Sequence, residues 1–140
     1  MENLSIRSKS DITPDFSIIE IDGNKLKTLR NFYEEIANVL HFPDYFGFNL
    51  DSFDELLNDL SWIVDEKIAI YIYNSQNFMI NERNEEKVMT LLDLLDATCE
   101  DWKWMEVEGT EDDDDFIPKK ELMFVFSDSD HIQEIINKLY

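Results

Sequence analysis

Apolar and polar positions along the chain follow two periods, and the switches between them mark out the elements. Phe16 to Ile21 reads as a short Ile-rich strand, stopped by the turn Asp22-Gly23. Thr28 can cap a helix from Leu29 to Leu40, in which Leu29, Phe32, Tyr33, Ile36 and Leu40 line one side. Pro43 and Gly47 then break the chain into a loop. Beyond it Leu50, Phe53, Leu57 and Leu60, with Leu56 beside them, recur at helical spacing and predict a short helix capped by Asn49. Ile68 to Tyr73 is a near-continuous apolar run, as a buried parallel strand requires. Asn84 to about Met105 reads as a long helix with Val88, Leu91, Leu92, Leu95 and Cys99 inward. Leu122 to Phe126 is a third buried strand, and Asp130 is placed as the cap of a last helix ending near Tyr140.

Strands separated by helices need crossover connections, so the pattern predicts an α/β fold: a small three-stranded parallel sheet with helices packed on it. At 140 residues and 44% hydrophobic composition the chain is sized for one domain with a real core. The domain is expected over 16–140, preceded by a polar N-terminal tail over 1–15 and interrupted by an acidic loop at about 106–117. No internal repeat is visible.

The short helix after the loop carries the most functional information. Asp51, Asp54, Glu55 and Asn58 follow the rhythm of its apolar stripe one position later and form a polar ridge without Lys or Arg. Asp51 and Glu55 are like charges at i, i+4, which destabilises an isolated helix by roughly 0.2 to 0.5 kcal/mol. Local stability therefore gives no reason for the pairing. Asp51 near the helix start and Asn49 as cap do have structural accounts, and spacing alone favours a solvated face.

The run Pro43-Asp44-Tyr45-Phe46-Gly47-Phe48-Asn49-Leu50-Asp51, continuing through Leu56-Leu57-Asn58-Asp59-Leu60-Ser61-Trp62, resembles the signature segment of the barstar family of intracellular ribonuclease inhibitors. Tyr45, Gly47, Asn49 and Asp51 match that pattern position for position. The resemblance implies a three-stranded parallel sheet with about four helices, to which the C-terminal helix and the N-terminal tail are additional. It also implies a stoichiometric, non-enzymatic immunity or antitoxin protein that plugs the basic active site of a ribonuclease toxin, its carboxylates standing in for RNA phosphates. Tyr45, Gly47, Asn49, Leu50 and Asp51 would then be loop contacts, and Glu55 would enter the cationic cluster of the enzyme. With Asp54, Asn58 and Asp59 from the same helix, these form the expected partner-binding set. Two positions depart from the family. Glu55 stands where barstar has aspartate, adding one methylene of reach, and Asp54 stands where barstar has a tryptophan that packs on the enzyme. Trading an aromatic anchor for a charge implies a partner of different shape.

Charge points the same way. Against 12 Lys and Arg the chain carries 32 Asp and Glu, a formal net charge of -20, which repels nucleic acid and anionic membranes alike. A basic protein is the natural partner, and the alternative reading keeps that partner but makes it a protein other than a nuclease. No basic residue lies between Arg30 and Lys67, whereas Glu34, Glu35, Asp44, Asp51, Asp54, Glu55, Asp59, Asp65 and Glu66 all do.

Other chemistry finds little support. Cys99 is the only thiol, which excludes an internal disulfide, and its apolar helical setting reads as core. His41 and His131 belong to no metal-ligand or nucleophile pattern, so neither a catalytic set, a metal nor a cofactor is expected. Asp51 and Glu55 one turn apart on an exposed helix lack the cleft that carboxylate acid-base catalysis needs. The run Glu111 to Asp115 reads as a solvated loop, without the spacing and turn glycine of an EF-hand. Asp93 and Asp96 on the long helix are candidates for the extra acidic contact that the resemblance implies, and Trp62 for the edge of the interface. With no membrane-length apolar run and no signal-peptide pattern at the polar start, a cytoplasmic protein, monomeric when free, is expected.

Overall fold

In the computed structural model residues 3–105 and 119–140 are described. The elements run β1 (Leu4–Ile6), β2 (Ser17–Asp22), α1 (Leu29–Val39), α2 (Leu50–Leu57), β3 (Lys67–Tyr73), α3 (Glu85–Trp104), β4 (Glu121–Phe126) and α4 (Asp130–Leu139). The strands form one parallel sheet in the order β1-β4-β3-β2. The α/β architecture is the expected one, with four α-helices among the described residues, the C-terminal one included.

The sheet has four strands rather than three. Leu4 to Ile6, assigned to the tail, pair in parallel with Phe124 to Phe126. The stretch is only three residues long and its partner lies at the other end of the chain, so no local pattern announces it. The chain then crosses the back of the sheet, where Ile12 and Phe16 pack on Ala69, Met123 and Val125 in a small second core. Lys67 clamps the end of this crossing: its ammonium meets Asp15 at 2.6 Å and holds that carboxyl down at about 2.

The other face of the sheet takes the helices. Alternate residues of the central strands, Ile68, Ile70 and Ile72 from β3 with Leu122, Phe124 and Phe126 from β4, point into the main core. The expected stripes meet them there: Phe32, Tyr33 and Ile36 of α1, Phe53, Leu56 and Leu57 of α2, and Val88, Leu91, Leu92, Leu95 and Cys99 of α3 are all buried. Burial pushes the Cys99 thiol far up from its ordinary range, so the residue packs as an apolar side chain.

The expected caps hold α1 and α2, where Thr28 and Asn49 accept from the backbone N–H three residues on, and Asn84, read as the first residue of the long helix, caps α3 in the same way. On α4 the cap is Ser129 instead of Asp130. Its hydroxyl accepts from Ile132 N at 3.1 Å, leaving Asp130 in the first helical turn, where a carboxylate favours the helix dipole. Behind α2, buried Lys120 donates to Ile63 O and Asp65 O, both at 2.8 Å, and pins the connection from α2 to β3. Removal from water pushes its ammonium below the ordinary lysine range.

Candidate functional site

The loop and helix that carry the acidic ridge rest on a seat of aromatic rings. Phe53, buried under α2, lies within 5.9 Å of Phe32, Tyr33 and Phe42, centroid to centroid. Phe46 stacks edge-on against Phe42 at 5.1 Å and lies tilted against Phe48 at 4.7 Å. Such pairs each add about 0.5 to 1.5 kcal/mol beyond area burial, so the loop is held by its own side chains. Two indole N–H groups fasten the frame: Trp62 donates to Leu40 O at 2.7 Å and Trp102 to Leu57 O at 3.1 Å. The second satisfies a carbonyl that the end of α2 leaves open.

Entry into α2 is built from three short contacts. Asn49 Oδ1 accepts from Ser52 N at 2.9 Å, and its Nδ2 donates back to Gly47 O at 3.2 Å. The Gly47 N–H donates to Ser52 Oγ at 3.0 Å. A Cβ on Gly47 would stand 2.8 Å from Asn49 Nδ2, so a side chain there displaces the group that caps the helix. Backbone strain gathers around the same element. His41, Phe48 and Leu60, none of them glycine, adopt φ of 53, 52 and 48°. At His41 this turn ends α1, with Phe42 N returning to Ala37 O at 2.9 Å in a Schellman closure.

The expected partner-binding residues fall into three groups. Tyr45, 68% exposed, stands out from the loop, and Asp51, Asp54, Glu55 and Asn58 are exposed along α2. Asn58 Nδ2 donates to Asp54 Oδ1 at 2.8 Å, while the half-buried Asp59 accepts from Ser61 N at 3.3 Å. Asp51 and Glu55 accept no hydrogen bond and join no ion pair among the described residues. Gly47 and Asn49 shape the loop through backbone and cap. Leu50 is half-buried against the core and faces a cleft beside α2 rather than the ridge.

Among the other candidates, Asp93 is exposed, whereas Asp96 is engaged inside the molecule, accepting from Asn3 Nδ2 and from the Tyr140 hydroxyl, each at 2.9 Å. An acid of α3 that shares a shallow pocket with Asn58, the residue closing α2, is Asp101. Helical register would have singled it out only with α2 already in place. Arg30 also escapes a reading of the sequence. Its guanidinium sits 4.4 Å above the Phe48 ring and pairs with Glu34, so a cation of α1 braces the loop. Trp62 is half-buried and serves the frame. The run Glu111 to Asp115 lies outside the described residues. His131 is structural, its Nε2 2.6 Å from Phe78 O. Among the described residues no group of three His, Cys, Asp or Glu is placed to hold a metal ion, and no helix is long and apolar enough to cross a membrane.

The geometry is that of an acidic helix face set on a seat of packed aromatic rings. Comparison with known families matches residues 16–118 to the family described as Barstar (barnase inhibitor), and the chain belongs to that family. No curated protein matches the sequence. Members of the family are ribonuclease inhibitors rather than enzymes.

Proposed function

We propose that this barstar-family chain is an immunity protein: a stoichiometric inhibitor that masks the active site of a cognate ribonuclease toxin in the cytoplasm of the cell that makes the toxin. The observation that carries the reading is the state of Asp51 and Glu55, exposed one turn apart and unpaired among the described residues, on a helix whose other face is locked into an aromatic seat. A ribonuclease active site gathers cations to grip phosphate. Two carboxylates held at a fixed spacing can occupy that cluster without presenting a bond to cleave.

Energetics favour such a plug. Charge-assisted hydrogen bonds are roughly twice as strong as neutral ones once water is expelled. Because ring packing and the Asn49 cap fix the loop beforehand, little ordering entropy is lost on docking. The net charge of -20 adds a field that speeds encounter with a basic enzyme and weakens as salt rises. Glu55 in place of aspartate reaches deeper, and Asp54 adds charge at the rim.

The test is titration of the purified chain into an RNA-cleavage assay, with barnase and with any ribonuclease found encoded in an adjoining reading frame as enzymes. Wild type is expected to abolish cleavage at a one-to-one ratio. Asp51→Ala and Glu55→Ala each weaken inhibition by about 2 to 5 kcal/mol, a general range to which barnase–barstar itself contributes. Melting midpoints stay within a degree or so of wild type, since both side chains lie on the surface. Undiminished inhibition by both variants would remove the ridge from the site, and tight capture without inhibition would make the partner something other than a nuclease.

A further inference from the structure

Directly beside the acidic ridge lies a cleft of opposite charge. It encloses about 550 Å³ between the first turn of α1, the loop entering α2 and the first turn of α3. Arg30, Arg83 and Lys87 line it, with Glu82 as the one carboxylate among its described lining residues, and the rings of Tyr33 and Phe48 supply apolar wall. Among the other described cations, Lys9, Lys67, Lys103 and Lys138 are in ion pairs and Lys119 and Lys120 are on backbone carbonyls, Arg30 itself pairs with Glu34, and Lys25 and Lys27 join no ion pair. Arg83 and Lys87 are exposed and have no partner among the described residues. In a chain of net charge -20, two exposed, unpaired cations lining one cleft next to the acidic helix call for an explanation.

We propose that this cleft receives a surface carboxylate of the ribonuclease that docks on the ridge, and that it selects among basic partners. The inference rests on the proposed function. It follows from continuity and from charge. Asn49 and Leu50, which line the cleft, immediately precede Asp51, so a protein seated on the ridge covers the cleft mouth. Such a protein presents cations to Asp51 and Glu55. Were it basic on this flank as well, it would face Arg83 and Lys87, and like-charge juxtaposition is disfavoured by several kcal/mol. A uniformly acidic inhibitor binds any cationic protein, whereas an inhibitor with a positive cleft at its edge rejects those lacking an acid there. Arg30, stacked on Phe48, holds the cation closest to the loop in place.

The experiment uses the full chain and whichever ribonuclease wild type inhibits in the cleavage assay. Three versions are compared: wild type, Arg83→Glu with Lys87→Glu, and Asp51→Ala with Glu55→Ala. The cleft variant is expected to need about tenfold more protein for half inhibition, as reversal of interfacial charges implies. Changing the ribonuclease's surface carboxylates to lysine one at a time is expected to find one position that restores inhibition by the cleft variant and weakens inhibition by wild type. A cleft variant as potent as wild type, beside a ridge variant that has lost inhibition, overturns the inference and leaves the ridge standing. Loss without any restoring carboxylate also overturns it. A ridge variant as potent as wild type removes both readings. Should the double glutamate variant melt early, Arg83→Gln with Lys87→Gln replaces it, with the same outcomes at smaller amplitude.

Discussion

Helices α2 and α4 are alike in sequence logic: each has a short polar cap, an aspartate in the first turn and one apolar stripe turned to the core. Around α4 several polar groups find partners within the chain, although exposed Asp130 accepts no hydrogen bond and joins no ion pair among the described residues. His131 meets Phe78 O, Lys138 pairs with Glu85, and Gln133 donates to Asp128 at 2.6 Å. Around α2, Asp51 and Glu55 meet nothing among the described residues, although the element beneath them is packed on aromatic rings. A stripe at helical spacing tells which way a helix faces. It does not tell whether the charges opposite are satisfied, because the partners of α4 lie about fifty residues upstream. The difference between the helices is therefore a tertiary one, and the proposed binding role rests on it.

The strongest way to break the comparison is to remove the seat. Phe53→Ala deletes a ring packed against four other aromatic rings and is expected to cost about 3 to 5 kcal/mol. Ile136→Ala on α4 is expected to cost about 2 kcal/mol or somewhat more, since the residue is buried at the margin of the core. Urea denaturation measures both. If α2 is the docking element, Phe53→Ala also weakens ribonuclease inhibition beyond its loss of folded protein, because the ridge loses its fixed geometry. Ile136→Ala weakens it only in proportion to unfolding.

Caps give the next and subtler contrast. Asn49→Ala and Ser129→Ala each remove a side-chain bond to a helix N–H and are each expected to cost about 1 kcal/mol of stability on that account, Ser129→Ala losing in addition the 2.8 Å contact of its hydroxyl with that of buried Ser75. Only Asn49 also ties down Gly47 O, so only Asn49→Ala is expected to loosen the loop that carries Tyr45. Hydrogen exchange across 44–49, beside the inhibition assay, separates the two. Equal effects of both variants on inhibition would make Asn49 an ordinary cap.

Much of this was legible in the chain. Three strands and four helices stand where periodicity puts them, with two of the three expected caps, because those signals are local. β1 was not legible, since three residues at a sheet edge are defined by a partner more than a hundred positions away. Asp130 was mistaken for the cap because Ser129 and Asp130 are both good capping residues, and only backbone geometry decides between them. In the site, the loop and ridge were readable as one continuous segment. Asp101 and the cleft of Arg30, Arg83 and Lys87 were not, since each becomes part of the surface only when separate helices are packed together.

Charge on the two helices gives the smallest effects, and they run in opposite directions. Glu55→Ala removes a like-charge pair with Asp51, so it is expected to raise stability by roughly 0.2 to 0.5 kcal/mol while lowering inhibition. On α4, the hydrogen bond from Lys138 to Glu85 holds the lysine above its ordinary range. A base whose folded value is raised contributes stability that is complete below the unfolded value of 10.5 and is lost as pH climbs through the folded one. Wild type and Lys138→Gln should therefore differ in melting midpoint at neutral pH and converge once pH has climbed past the raised lysine value. The gap between wild type and Glu55→Ala, with no internal cation to lose, should stay unchanged over the same range. A Glu55 gap that closed alongside the Lys138 one would mean that α2 has an internal cation after all, and would make its ridge the same kind of surface as that of α4.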